Sequence, residues 1–261
     1  MFTHQMGGEV MISCAHCKKE IASNFRFCPY CGVLAGQDGD LYFMARRAME
    51  TRMEGGEVQP AINSLVAAYE KGLRDAHVIC GLGILYYRLG DIGQAIKYLE
   101  KAIELKPDFP EAHYDLGLTY YRGGQIHKTI ATLERCLKLS PDYASAHYWI
   151  GIANYHLGRQ RQAIEAFQRV VELNPASKIA NYHLGVNFES LGQYDKAIAN
   201  FKLVVENCPD DEAAHFHLGM CYYEANKIPE ATEVFRHAVK LDPNDRRAAH
   251  MLEMLTVVPG V

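Results

Sequence analysis

A proline recurs at an interval of 34 residues, and this interval constrains the fold of the chain more than any other feature: Pro107, Pro141, Pro175, Pro209 and Pro243. A fixed repeat of this length indicates a stack of small units, because one such unit cannot bury its apolar side alone. Aligned at this interval, the sequence gives five registers without gaps, which begin at Ala76, Pro110, Ala144, Lys178 and Glu212.

Residues at fixed places, counted from the first residue of each register, suit a pair of packed helices. Apolar residues recur at three- and four-residue steps in two stretches, which predicts two amphipathic helices. Small residues at places eight and twenty allow the helices to approach closely, and Leu or Phe at place twenty-four fills the space between neighbours. Place fifteen suits the left-handed residue that ends the first helix: Gly90, Gly124, Gly158, Gly192 and Asn226. The proline stops the second helix.

This pattern resembles the tetratricopeptide (TPR) repeat. The resemblance implies an all-α fold, a right-handed TPR helical solenoid, with repeats at 76–109, 110–143, 144–177, 178–211 and 212–245. Residues 42–75 fit the register loosely, with Met49 where the glycine belongs and Leu73 where the proline belongs, so we expect a degenerate repeat there. Residues 246–258 are predicted to form a C-terminal capping helix, which such arrays need to cover their last apolar face.

Two Cys-x-x-Cys pairs, Cys14/Cys17 and Cys28/Cys31, precede the repeats. Four thiolates can hold one Zn²⁺ tetrahedrally, and a stretch this short cannot bury a core, so the metal would supply the folding energy. We therefore predict one structural Zn²⁺ in a small zinc-ribbon module over residues 12–34, between a flexible N-terminus (1–11) and a linker (35–41). A closed four-sulfur site has no open position for water, so this zinc is not expected to be catalytic.

Other interpretations of the cysteine module stay open. An iron site of the rubredoxin type uses the same four thiolates, and the pairs could instead form redox disulfides. His16 lies inside the first pair and is an alternative ligand. The ribbon could also carry the function, as a nucleic-acid- or polymerase-contacting module. Its local charge is only weakly basic, because Lys18, Lys19 and Arg26 stand against Glu20, and this disfavours nucleic acid.

In the TPR family the first helices of successive repeats line a concave surface that holds peptides. The resemblance therefore implies a groove formed by places two, five, nine, twelve and thirteen. Aromatic rows at places five and twelve flank an aliphatic row at place nine, and such a strip is typical of a partner surface. The predicted groove residues are Tyr114, Tyr148, Tyr182 and Phe216; Ile84, Leu118, Ile152, Val186 and Met220; Tyr87, Tyr121, Tyr155 and Tyr223; and Arg88 and Arg122.

Some predicted groove residues have another interpretation, and one known type of TPR ligand is not expected. Some of the rings could pack between neighbouring helices and never meet a ligand, since tyrosine is often structural. The lysine and asparagine of TPR clamps for chaperone tails are absent from places five and nine of the five clear repeats, so that ligand is not expected. Cys80, at place five, is either an exposed thiol or a small apolar residue.

Composition, charge and the positions of the histidines argue against several other classes of protein. A net charge of −4 and a pI near 6.3 do not draw the chain to nucleic acid. No apolar run is long enough to span a bilayer, and the start of the chain does not have the form of a secretory signal. The histidines recur at place four (His113, His147, His215) and place six (His183, His217), which indicates packing. No phosphate-binding loop or nucleophile elbow is present.

We therefore predict a non-enzymatic interaction scaffold or adaptor with a protein or peptide partner and no small-molecule substrate or membrane contact. Self-association through the apolar groove is an alternative. Cysteines outside the paired motif are scattered through helical sequence, which suits a reducing cytoplasm.

Overall fold

The computed structural model describes residues 5–6, 9–13, 20–22, 58–70, 72 and 74–256 of the 261-residue chain. These residues form three short strands and then twelve helices. Strands β1 (Gln5–Met6), β2 (Glu9–Ser13) and β3 (Glu20–Ala22) pair in that order as an antiparallel sheet. The helices are α1 (Val58–Glu70), α2 (Ala76–Leu89), α3 (Ile92–Leu105), α4 (Pro110–Arg122), α5 (Ile126–Leu139), α6 (Ala144–His156), α7 (Gln160–Leu173), α8 (Lys178–Ser190), α9 (Tyr194–Asn207), α10 (Glu212–Glu224), α11 (Ile228–Leu241) and α12 (Arg246–Thr256).

The chain divides into two compact units, Met1–Arg135 and Cys136–Val261. In the first unit, neighbouring helices from α1 to α4 contact each other in chain order, and the core between them includes the buried residues Ile62, Leu82 and Leu99. In the second unit, neighbouring helices from α6 to α12 do the same, around the fully buried rings of Phe167, Phe201 and Phe235. Each unit is thus a run of helix pairs packed in chain order.

Residues at the helix ends fix where each helix begins and stops. The Asp75 carboxylate accepts hydrogen bonds from the backbone N–H groups of His77 and Val78, both at 3.0 Å, and so caps the start of α2. The predicted left-handed residue is confirmed at all five places, with φ between 58° at Asn226 and 82° at Gly90. A left-handed residue ends the first helix and turns the chain into the second.

Large side chains at place twenty-four join each repeat to the next one. A Cβ atom added at Gly151 would lie 2.6 Å from the Phe167 ring, so glycine is required for this close approach. Phe167 also stacks on His183 of the following repeat, with ring centroids 5.0 Å apart. Phe201 stacks on His217 in the same way, at 5.4 Å. This confirms, for the second unit, the predicted role of place twenty-four in filling the space between neighbours.

Histidines at place four satisfy a carbonyl group that the end of the preceding helix leaves free. Their Nε2–H groups donate to the carbonyl oxygen of the proline six residues earlier, in His113 (3.0 Å), His147 (2.8 Å) and His215 (2.9 Å). Asn181 stands at the same place and donates its amide to the Pro175 oxygen at 3.3 Å. The predicted packing role of these histidines is confirmed by these bonds.

Some predictions fall on residues outside the described part of the chain: the zinc ligands Cys14, Cys17, Cys28 and Cys31, the linker 35–41 and the first half of the degenerate repeat 42–75. Helix α1 lies in the second half of that repeat, and α12 lies within the predicted capping segment 246–258. The start of the chain, predicted to be flexible over 1–11, contains β1 and most of β2. β-branched Val10 and Ile12 favour a strand there. No described helix is both long and apolar enough to cross a membrane.

Candidate peptide-binding faces

The predicted groove residues lie on the first helix of each repeat, and most of them remain partly exposed. Tyr155 is 38% exposed, and Arg88 and Arg122 are exposed. Ile152 is the exception, because only 7% of its surface is accessible. It belongs to the core, so we correct its assignment to the groove. The others are half-buried: Ile84, Tyr87, Tyr114, Leu118, Tyr121, Tyr148, Tyr182, Val186, Phe216, Met220 and Tyr223.

These residues form one candidate face in each unit. The first-unit face lies on α2 and α4 and comprises Ile84, Tyr87, Arg88, Tyr114, Asp115, Leu118, Tyr121 and Arg122. The second-unit face lies on α6, α8 and α10 and comprises Tyr148, Tyr155, Tyr182, His183, Val186, Glu189, Phe216, His217, Met220 and Tyr223. Both faces combine ring surfaces and aliphatic side chains with a few polar groups, which is the composition of a ligand-binding surface.

Side chains of successive first helices contact one another across the second-unit face. Tyr148 Oη lies 3.2 Å from His183 Nε2. Burial lowers the pKa of His183, and nearby His156 lowers it further, so the imidazole is neutral at neutral pH and its Nε2 can accept a hydrogen bond from the Tyr148 hydroxyl. The Tyr182 ring stands edge-on to the His217 ring, with centroids 5.8 Å apart. The aromatic row is therefore a contiguous surface in this unit.

Glu189 breaks the row of tyrosines at place twelve and forms a hydrogen bond within the same face. Its Oε2 atom lies 2.8 Å from His217 Nδ1 on the next first helix. Sequence reasoning missed this pair. The signal that could have revealed it is double: a glutamate replaces tyrosine in one repeat, and a histidine stands at place six of the repeat that follows.

Two further residues, Arg247 and Ile179, change the predicted surface at its borders. The Arg247 guanidinium of α12 lies over the Phe216 ring, 4.6 Å from its centroid, and covers part of it. Ile179, at place two of α8, is 53% exposed and borders the second-unit face, although it was not among the predicted residues. The edge of this face is therefore more apolar, and its end more cationic, than the predicted rows imply.

Arg122 has a structural partner in the first-unit face. Its guanidinium lies 5.0 Å from the centroid of the Tyr87 ring and donates a 2.8 Å hydrogen bond to the Tyr87 carbonyl oxygen. That carbonyl is in the last turn of α2, where a cation interacts favourably with the helix end. The alternative that some groove rings pack between helices therefore holds for Tyr87, at least on the side that Arg122 covers.

The buried Cys80 thiol contacts the half-buried Asp115 carboxylate in the first-unit face. Cys80 is 3% exposed, and its Sγ lies 3.9 Å from Asp115 Oδ2. Burial and the Asp115 charge both raise the pKa of Cys80, so its thiol stays protonated at neutral pH. The structure thus supports the interpretation of Cys80 as a small apolar residue. Burial also raises the pKa of Asp115 to about 6, and nearby Glu111 adds to this.

Helix pairs that recur at a fixed interval and expose aromatic rows on their first helices define a helical-repeat protein with candidate ligand faces. Family models of the TPR repeat match residues 83–124, 119–178, 158–212 and 190–255. Together these matches run from residue 83 to residue 255 without a gap, so the chain belongs to the TPR-repeat proteins.

Solved structures of TPR proteins share this fold. YrrB, described as a TPR protein with an unusual peptide-binding site, aligns with a TM-score of 0.65 and 24% identity over 71% of this chain and 96% of its own. MamA aligns with a TM-score of 0.61 and 26% identity over 71% of this chain and 97% of its own. The 41-end fragment of MamA from Desulfovibrio magneticus RS-1 aligns with a TM-score of 0.61 and 23% identity, over 66% of this chain and 97% of its own. Among curated protein sequences, none matches this chain significantly.

Proposed function

We propose that this chain is a non-enzymatic scaffold that binds a peptide or helix of a protein partner on the aromatic–aliphatic faces of its first helices. The observation that carries the proposal is the contiguous second-unit face. Its half-buried rings contact one another from α6 to α10, while Tyr155 and Ile179 expose apolar surface beside them. A soluble domain rarely keeps such a surface unless a partner covers it.

The first test removes exposed apolar surface from this face without touching its core. Tyr155→Ser should reduce the amount of partner retained from native cell extract by about tenfold, because a buried interface aromatic is typically worth more than 1 kcal/mol. Leu203→Ser is the matched control, since Leu203 is 44% exposed on α9, a second helix outside the face. Both variants should keep the wild-type melting temperature. Equal retention by the two variants would show that the second-unit face does not bind the partner.

We also propose one structural Zn²⁺ bound by Cys14, Cys17, Cys28 and Cys31. The donor set of four thiolates supports it, as does the pairing of Ser13 with Glu20 between β2 and β3. In the sequence the first cysteine pair falls between β2 and β3, and two cysteines separated by two residues can bind one ion. The Zn²⁺ would supply folding energy to the N-terminal module and no catalytic chemistry.

Metal analysis of the purified chain tests the zinc site. We expect a colourless protein with one zinc per chain, and Cys28→Ser should lose the zinc while the helix content stays unchanged. A red protein that contains iron would contradict zinc. Salt-dependent binding to oligonucleotides that is lost in Cys28→Ser would move the function to a nucleic-acid-contacting ribbon. Cys80, Cys208 and Cys221 are free thiols, which supports our inference of a cytoplasmic location.

A further inference from the structure

Asp115 is a carboxylate within the otherwise apolar part of the first-unit face. It follows Tyr114 on α4 and precedes Leu118 by one turn, and its side chain is half-buried. Its polar side-chain contact is the Cys80 thiol at 3.9 Å, which is a weak hydrogen-bond donor. None of the ion pairs found among residues 74–256 includes Asp115.

Within residues 74–256, no cation compensates this carboxylate. Burial is the main cause of its raised pKa, and Glu111, one turn earlier on the same helix, raises it further. At neutral pH the carboxyl group is still largely ionised, so the free protein holds a partly desolvated negative charge. A residue that costs stability in this way and stands in a candidate binding surface is typical of a functional site.

We propose that Asp115 is the recognition carboxylate of the first-unit face and pairs with a lysine or arginine side chain of a bound peptide. The inference rests on the proposed function, because the neighbours of that basic residue would pack on Tyr114 and Leu118. Charges of opposite sign lie in different parts of the face. Glu111 and Asp115 make the first half of α4 acidic, whereas Arg88 and Arg122 make the last turns of α2 and α4 basic. A peptide with a basic residue over Asp115 is thereby oriented along the face.

The test uses the full-length chain and an array of acetylated decapeptide pools. The central position of each pool is fixed as Lys, Arg, Gln, Leu or Glu, and the other positions are randomised. We expect the wild type to bind the Lys and Arg pools roughly tenfold more than the Gln pool, because the pair is a charge-assisted bond in a partly dry site. Asp115→Asn should lose this preference and keep its binding to the Leu pool. Glu134→Gln removes an exposed carboxylate from α5 and should keep the preference.

Each remaining outcome overturns the inference at a different level. A preference that Asp115→Asn retains, or one that Glu134→Gln also loses, would mean that Asp115 is not the recognition group. Binding to the Leu pool without any preference for a basic residue would leave the proposed function standing and remove this inference alone. Absence of binding to every pool would contradict both. Circular dichroism of each variant establishes that the comparison is made between folded proteins.

Discussion

Gly83 shows how one hydrogen atom in place of a side chain sets the distance between two helices. A Cβ added there would lie 2.6 Å from Leu99 Cγ and 3.2 Å from the Leu99 backbone nitrogen. Neither atom is the mobile end of a side chain, so the two helices would have to separate. At Gly185 the Cβ would lie 2.7 Å from the Phe201 ring, which is fully buried and has no free space beside it. Glycine at place eight is therefore a packing requirement.

Gly83→Ala should lower the free energy of unfolding by about 1–3 kcal/mol, as expected for overpacking of a filled core. Gly93→Ala is the matched control in the same helix pair. A Cβ at Gly93 would meet only Asp91 Oδ1, at 3.7 Å, which is ordinary contact. That change should stabilise the chain by up to about 1 kcal/mol, because alanine is the better helix former. Thermal unfolding followed by circular dichroism checks both signs, and equal shifts in one direction would contradict the packing argument.

Asp115 is expected to make stability depend on pH. Its pKa in the folded protein is about 6, against an ordinary value of 3.8, so the folded state holds the proton more tightly. The protonated group therefore favours the folded state below pH 3.8, and this contribution is lost as the pH rises through about 6. Asp115→Asn should melt at a higher temperature than the wild type above pH 6, and the difference should shrink towards pH 4. A difference that is constant across this range would show that the charge is compensated.

The helices themselves could be predicted from the sequence, because the 34-residue interval fixes the backbone. The first helices α2, α4, α6, α8 and α10 begin at Ala76, Pro110, Ala144, Lys178 and Glu212, the residues at which the registers begin. The contacts of the faces could not be predicted in this way. Arg122 bonds to Tyr87, 35 residues away, and His217 pairs with Glu189, 28 residues away. Each contact depends on which residues two neighbouring repeats carry at different places. Comparing one place across the repeats does not reveal such a combination.

The left-handed residue in the turn between the two helices of a repeat offers a second test. Two substitutions there are expected to change the free energy of unfolding in opposite directions. Gly192 has φ of 67°, and no atom lies within 4 Å of a Cβ built on it, so only backbone strain opposes a side chain there. Gly192→Ala should cost about 1–2 kcal/mol. Asn226 has φ of 58° in the equivalent turn, so Asn226→Gly should stabilise by a few tenths of a kcal/mol or more. Denaturant unfolding of both variants measures the signs, and a neutral Gly192→Ala would contradict the strain.

At the scale of the whole molecule, a repeat array has no central core, so its stability depends on interfaces between neighbours and on covered ends. In the second unit the last interface lies between α11 and α12. Ala231, Phe235 and Ala238 of α11 are buried there, and Met251 and Leu252 of α12 pack against them. Because α12 has no repeat after it within the described residues, its inner side closes this cluster while its outer side includes Met254, which is 49% exposed.

Removal of α12 by truncation after Asp245 should therefore expose an apolar surface on α11. We expect faster amide hydrogen exchange in α10 and α11, with a smaller change in α6 and α7, because each repeat is stabilised mainly by its immediate neighbours. The truncated chain should also self-associate, since Phe235 would lose its cover. Met254→Ser in the full chain is the control and should leave exchange unchanged. Equal acceleration throughout the second unit would instead show that its helices unfold as one cooperative body, and that α12 stabilises all of them together.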